Sequence, residues 1–158
     1  MFRELRRKKN AIGLPTAKAL LQSSRRGVLA VNGDDGYPYA VPINYFYDEP
    51  TQKIYFHGAR AGHKFDALQA CDRVCFTVYG KETVKDAIWA PYLQSAVVFG
   101  RCHLVEDGPR AMELLKKVAM KYYPTEQLVD EEIEHAGKAA QIFEIEIEHL
   151  CGKQVQER

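Results

Sequence analysis

Residues 54–66 read Ile-Tyr-Phe-His-Gly-Ala-Arg-Ala-Gly-His-Lys-Phe-Asp, and they hold the most chemically suggestive spacing in the chain. An apolar run ends at Gly58, a loop carries Arg60, and Gly62-His63-Lys64 reads as a helix start. Free backbone N–H groups at such a start attract anions, and Gly62 lets a ligand approach the backbone closely. Arg60 and Lys64 add charge that can converge on one phosphate. The spacing is not that of a nucleotide P-loop. Three residues separate the glycines instead of four, and Phe65 stands where Ser or Thr would follow the lysine. One or two cations beside a helix start suit a terminal monophosphate better than a triphosphate. The alternative is plain solvated charge, because exposed Arg and Lys flank many helices.

Residues 37–47, Tyr-Pro-Tyr-Ala-Val-Pro-Ile-Asn-Tyr-Phe-Tyr, form a second suggestive stretch. Pro38 and Pro42 donate no ladder hydrogen bonds, so neighbouring carbonyls are free for a ligand. An aromatic, apolar wall with a few backbone polar groups is a way to hold a planar heterocycle. A core strand with exposed tyrosine edges is the competing reading.

Other groups offer less. His57 ends a strand and either caps a turn or acts chemically; His63 is a phosphate neighbour or faces solvent. His103, His135 and His149 fall on strand or helix surfaces and receive no role. Glu144, Glu146 and Glu148 alternate with Phe143, Ile145 and Ile147, which reads as one solvated face of a strand. Cys71, Cys75, Cys102 and Cys151 contain no C-x-x-C pair and read as buried free thiols of a reducing compartment. A zinc site from Cys71, Cys75, Cys102 and His103 lacks the usual ligand spacing, so no metal is expected. No Ser/His/Asp or Cys/His hydrolase arrangement stands out, and Ser95 has no elbow sequence around it.

The elements that must position these groups follow from periodicity and turn residues. Residues 15–24 read as a short helix opened by Pro15, and residues 27–31 as a strand. The turn at 32–36 returns the chain into a strand over 37–47, whose prolines place it at an edge or a bulge. Strands over 53–58 and 73–79 flank a helix over 62–70. A long strand over 93–106 carries Gly100, where the missing side chain permits a bend. Helices over 109–122 and 126–136 precede a last strand over 141–149. The sum is a mainly β (α+β) fold: a six-stranded, mostly antiparallel barrel with helices at its side.

Composition narrows the class further. The chain has 158 residues, 46% of them apolar and 27% charged, which suits one compact domain over residues 15–158. Residues 1–14 form a basic tail (Arg3, Arg6, Arg7, Lys8, Lys9) with no apolar signal core behind it, so a cytoplasmic location is expected. No apolar run approaches the roughly 18 residues of a membrane span. A net charge of +1 argues against a dedicated nucleic-acid binder.

Taken together, the sequence resembles the pyridoxamine 5′-phosphate oxidase-like FMN-binding split barrels, and among them the 5-nitroimidazole-resistance (Nim) proteins. The resemblance rests on Gly36-Tyr-Pro-Tyr-Ala-Val-Pro-Ile-Asn44, Ile54-Tyr-Phe-His-Gly58 running into Gly62-His-Lys64, Arg73-Val-Cys-Phe76, Ser95-Ala-Val-Val-Phe-Gly-Arg101 and the terminal Gly152-Lys153. It implies FMN bound at a homodimer interface of a split barrel. Val41, Pro42, Ile43 and Asn44 match the strand lying against the isoalloxazine ring, and Lys64 matches the phosphate-binding lysine, helped by Arg60 and His63. Trp89, Tyr92 and Ser95 match positions where the partner subunit completes the pocket, and His57 the histidine beside flavin or substrate. The oxidases' fuller basic cluster is missing, which argues against pyridoxamine 5′-phosphate oxidase activity itself.

The implied activity is an FMN-dependent oxidoreductase that passes electrons from a nicotinamide or other donor to a small acceptor, such as a nitroaromatic or quinone. His57 would supply a proton. No G-x-G-x-x-G follows a strand, so a nicotinamide would bind only transiently. The alternatives are a non-enzymatic flavin- or haem-binding split barrel, with His57 or His63 as axial ligand, and a ligand-free dimeric interaction module.

Overall fold

The computed structural model describes residues 1–85 and 90–156. Nine strands and four α-helices lie in the order β1 (Ala11–Ile12), α1 (Leu14–Ser23), β2 (Gly27–Asn32), β3 (Pro38–Ile43), β4 (Phe46–Asp48), β5 (Lys53–Gly58), α2 (His63–Ala70), β6 (Arg73–Tyr79), β7 (Thr83–Lys85), β8 (Ala90–Val105), α3 (Gly108–Met120), α4 (Glu126–Ala136) and β9 (Gln141–Gln156). Neighbouring strands pair in the order β3-β2-β6-β8-β9-β5-β4, with β1 added to β9 and β7 to β8. Every pairing is antiparallel. No helix among the described residues is long and apolar enough to cross a membrane.

The sheet curls without closing. Its two ends, β3 and β4, are consecutive in the chain, and only Asn44 and Tyr45 lie between them. The expected continuous strand over 37–47 is broken there because Tyr45 has other partners. Its N–H donates to the Tyr122 hydroxyl at 2.8 Å and its own hydroxyl to the Leu21 carbonyl at 2.6 Å. Pro42 is tolerated because β3 pairs only with β2, so its missing N–H costs no inner ladder bond. That split, plus the short strands β1 and β7, makes nine strands among the described residues where the sequence pattern suggests six. The basic tail ends in order: Ala11 and Ile12 pair with Lys153 and Gly152 of β9.

Two apolar cores result. Leu29, Ile54, Phe56, Phe76, Val98 and Phe143 fill the barrel, where the Phe56 and Phe143 rings stack at 4.8 Å. Outside it, Tyr55, Leu114, Leu115, Val118 and Ile142 seat α3 against β5 and β9. Helix α3 starts cleanly because Asp107 caps it, its side chain accepting from the Arg110 N–H.

The long β8–β9 ladder carries the bend expected at Gly100. The register shifts between Phe99 and Gly100: Phe99 faces His149, Gly100 faces Ile147, and Glu148 is the extra residue. Gly100 is needed here, since a Cβ would lie 2.2 Å from the Glu146 carbonyl oxygen. On β9, Phe143, Ile145 and Ile147 join the barrel core before the bulge, whereas Leu150 joins it afterwards, so the inward parity changes across residue 148.

One face expected to be solvated is not uniformly so. Glu144 is only 8% exposed, clamped by Lys53 Nζ at 2.7 Å and Arg110 Nη2 at 2.5 Å. Glu146 and Glu148 are exposed as expected. The difference is α3, which lies over that face and brings Arg110 to the carboxylate. Burial alone would raise the Glu144 pKa, but hydrogen bonds and charges from Lys53 and Arg110 outweigh it and hold it below its ordinary value of 4.5. Because the folded value is the lower one, the clamp stabilises fully above the unfolded pKa and is lost as pH falls through the folded pKa. Urea titrations of the wild type and Glu144→Gln should differ by a constant amount from pH 6 to 8, a gap on the order of 3 kcal/mol for breaking a buried pair. That gap should close progressively below about pH 4.5.

Candidate functional site

Strand β5 divides the site. Ile54 and Phe56 point into the barrel, and Tyr55 points towards α3. Alternation therefore sends His57 to the helix side and the bare Gly58 to the barrel side.

On the helix side His57 opens into a cavity of about 460 Å³. Asn44 and Gly58 share its floor; Leu115, Val118 and Tyr122 of the α3 region and Ile133 of α4 form apolar walls. Asn44 reaches it because it occupies the gap between the sheet's two ends. The Tyr122 hydroxyl holds that gap, donating to the Arg25 carbonyl at 2.6 Å while accepting from Tyr45. The His57 pKa lies below its ordinary 6.5, first from desolvation and then from the Lys64 charge. Its imidazole is therefore neutral at pH 7, with one nitrogen donating and one accepting.

On the barrel side, the Lys64 ammonium sits 5.5 Å from the centroid of the Phe56 ring. It fills the space a side chain at 58 would take: a Cβ on Gly58 would meet Nζ at 3.1 Å. Burial lowers the Lys64 pKa. No carboxylate among the described residues lies within ion-pair distance of it. Just before it, Gly62 adopts φ 103°, a conformation that favours glycine, and α2 begins without a side-chain cap. A half-buried, unpaired cation beside an uncapped helix start is a fitting cradle for a phosphate monoester.

The remaining expected site residues divide. Arg60 is exposed in the loop between Gly58 and α2. His63 turns to the β2–β3 hairpin, stacking on Tyr39 at 4.1 Å with Nε2 3.7 Å from Asp34 Oδ2. Val41 and Ile43 belong to the barrel core while Pro42 faces out, so of the 41–44 stretch Asn44 alone lines the cavity. Tyr92 and Ser95 lie on β8, three residues apart and so on opposite faces of it. Ser95 faces outwards, level with Tyr79 and Lys153 and away from the cavity. Trp89 lies outside the described residues. Cys102 is buried in the barrel, where burial pushes its thiol up to about 12, so it is inert.

Sequence reasoning missed the helix-side wall. Leu115 and Val118 read as a core stripe on a helix, which is correct as far as it goes. Nothing in one sequence says that the same stripe, with Tyr122 and Ile133, lines the cavity that His57 borders.

A profile of the family described as pyridoxamine 5′-phosphate oxidase matches residues 15–154. Among curated proteins none matches the sequence. Among solved structures, a proposed 5-nitroimidazole antibiotic resistance protein from Bacteroides thetaiotaomicron superposes with a TM-score of 0.78 at 18% identity, covering 92% of this chain and 87% of that one. A conserved hypothetical protein from Mycobacterium tuberculosis gives 0.78 at 18%, covering 95% and 90%. A flavocytochrome from Azotobacter vinelandii gives 0.75 at 22%, covering 96% and 72%. At these identities the likeness is one of fold. With a profile match across nearly the whole chain, the protein belongs to the pyridoxamine 5′-phosphate oxidase family.

Proposed function

We propose that this protein is an FMN-dependent oxidoreductase acting on a small acceptor, such as a nitroaromatic or quinone, and working as a homodimer. The observation that carries the reading is Lys64: a half-buried ammonium with no carboxylate among the described residues beside it, at the uncapped start of α2. A phosphate monoester supplies the missing charge. A flavocytochrome and an FAD-binding protein among structures of the same fold support a flavin as the cofactor, and the monophosphate-sized cradle at Lys64 favours FMN within that class.

When bound, FMN would supply the electron-transfer chemistry that no side chain here can perform. The chain's own residues bind, orient and exclude water. Lys64 and the first N–H groups of α2 hold the phosphate, and Arg60 in the preceding loop is a further cation close by in the sequence. Asn44 offers an amide at the cavity floor, and Leu115 and Val118 give it an apolar wall. His57, neutral at rest, takes up a solvent proton on its free ring nitrogen and passes it to the reduced acceptor, returning to the neutral form.

A second copy of the chain suits the outer face of the sheet. Across it run two rows without Asp, Glu, Lys or Arg: Pro42, Val28, Thr77, Val97 and Cys151, then Ala40, Ala30, Cys75, Phe99 and His149, the last two of which carry the Phe2 ring. None of the ten is buried in a single chain. Ser95 lies beside them, in keeping with a pocket completed across a dimer interface.

Purified protein mixed with FMN and desalted should keep a flavin absorption spectrum; a colourless protein, or a haem band in its place, would overturn the cofactor. Lys64→Ala should weaken FMN binding about ten- to a hundredfold, the worth of one charge-assisted hydrogen bond. His57→Ala should retain FMN yet reduce nitroaromatic turnover about a hundredfold; unchanged turnover removes His57 from the chemistry. Val28 is 37% exposed in the single chain, so Val28→Glu should leave the fold intact. It should shift the protein from dimer to monomer in sedimentation; an unaltered dimer would place the interface elsewhere.

A further inference from the structure

Three acids of helix α4 are engaged by other side chains. Glu126 and Asp130 hold Lys116 of α3 at 2.7 and 2.9 Å, and Glu131 accepts from Gln127 at 2.9 Å. Glu132 has no ion-pair partner among the described residues. Helical phase accounts for the difference. Val129 is fully buried and Ile133 packs against the outer core, so these two mark the inward line of α4. Glu126 and Asp130 lie on the flank that meets α3. Glu132 and Ala136, four residues apart, share the opposite flank, and both line the cavity that His57 borders.

That cavity is otherwise uncharged. No lysine or arginine among the described residues lines it, and burial keeps His57 neutral at pH 7. Tyr123 also lines it, and an aromatic ring attracts cations rather than anions. A lone carboxylate beside apolar walls is less screened on the cavity side than across open water, so its sign is felt by a ligand inside. His57 and Asn44 come from the sheet and Glu132 from α4. A ring with its reducible group at His57 therefore has its far substituent towards Glu132. The volume of about 460 Å³ suits one substituted ring.

We infer that Glu132 sets the charge of the substrate: the cavity takes a compact aromatic ring bearing a protonated amine or other positive charge, and disfavours ring carboxylates. The assignment deepens the reading of this cavity as the acceptor's seat and rests on it. Glu132 touches the substituent and not the reacting atoms, so it governs selection rather than chemistry.

The test compares three probes of one shape: 4-nitrobenzylamine, cationic at pH 7, 4-nitrobenzyl alcohol, neutral, and 4-nitrobenzoate, anionic. Each is titrated calorimetrically into FMN-saturated protein at low ionic strength, where surface charges are least screened. The amine should bind about tenfold more tightly than the carboxylate, with the alcohol between them. Glu132→Gln should erase most of that gap and Glu132→Lys should reverse it, while the alcohol binds all three proteins alike. Glu132 is exposed, so both substitutions leave the fold intact. Glu134→Gln removes an exposed charge from another face of α4 and should leave the gap as it is. An unchanged gap in Glu132→Gln, an equal fall in Glu134→Gln, or no binding of any probe would each overturn the assignment. If the protein retains no FMN, the same titrations on the unloaded chain decide between the same outcomes, so a failed cofactor reading and a failed role for Glu132 are told apart.

Discussion

The architecture depends on Tyr45. It lies where the two ends of the sheet meet, is fully buried, and is held from four directions. Its hydroxyl bonds α1 through Leu21, and its N–H bonds Tyr122 beyond the end of α3. Its ring stands edge-on to Phe76 at 4.8 Å, and the Lys121 ammonium covers it at 3.7 Å. Lys121 also donates to the Ser24 carbonyl at 2.7 Å, and burial lowers its pKa to about 8. Each of these buried polar groups is satisfied only if α1, the sheet ends and α3 occupy their observed places together. The sheet's refusal to close, the position of Asn44 and the cavity beside His57 all follow from that meeting point.

Much of this was legible in the sequence because the patterns were local. Strands β5 and β6 and helix α4 fall where alternation and turn residues put them. The Gly100 bend and the edge position of a proline-bearing strand were legible for the same reason. What was not legible involved partners distant in the chain. The break at Asn44–Tyr45 needs Tyr122, 77 residues away, and the burial of Glu144 needs Arg110 from α3. Alternating acids next to apolar residues look the same whether the polar face meets water or a helix. For the site, the segment from His57 to Lys64 announced both chemical groups but not that a strand would separate them.

That separation is chemically useful. A cation held inside the barrel and a neutral imidazole outside it are near enough for the charge to lower the imidazole pKa. They still face different compartments, one suited to an anion and one to an apolar ring. Gly58 makes the arrangement possible, for the side chain it lacks is the space that Lys64 occupies. A strand one residue wide thus keeps two kinds of chemistry apart without a second domain.

The extra residue at Glu148 acts on β9 as a frameshift acts on a message. Upstream, odd-numbered residues are read into the barrel; downstream, even-numbered ones are. Gly152 therefore turns inwards to receive Ile12, and Lys153 is displayed outside rather than buried in an apolar core. A chimera that spliced this chain's last nine residues onto a relative lacking the bulge would preserve every letter and invert its meaning. The grammar of the C-terminal strand is set one residue at a time, upstream of where it is used.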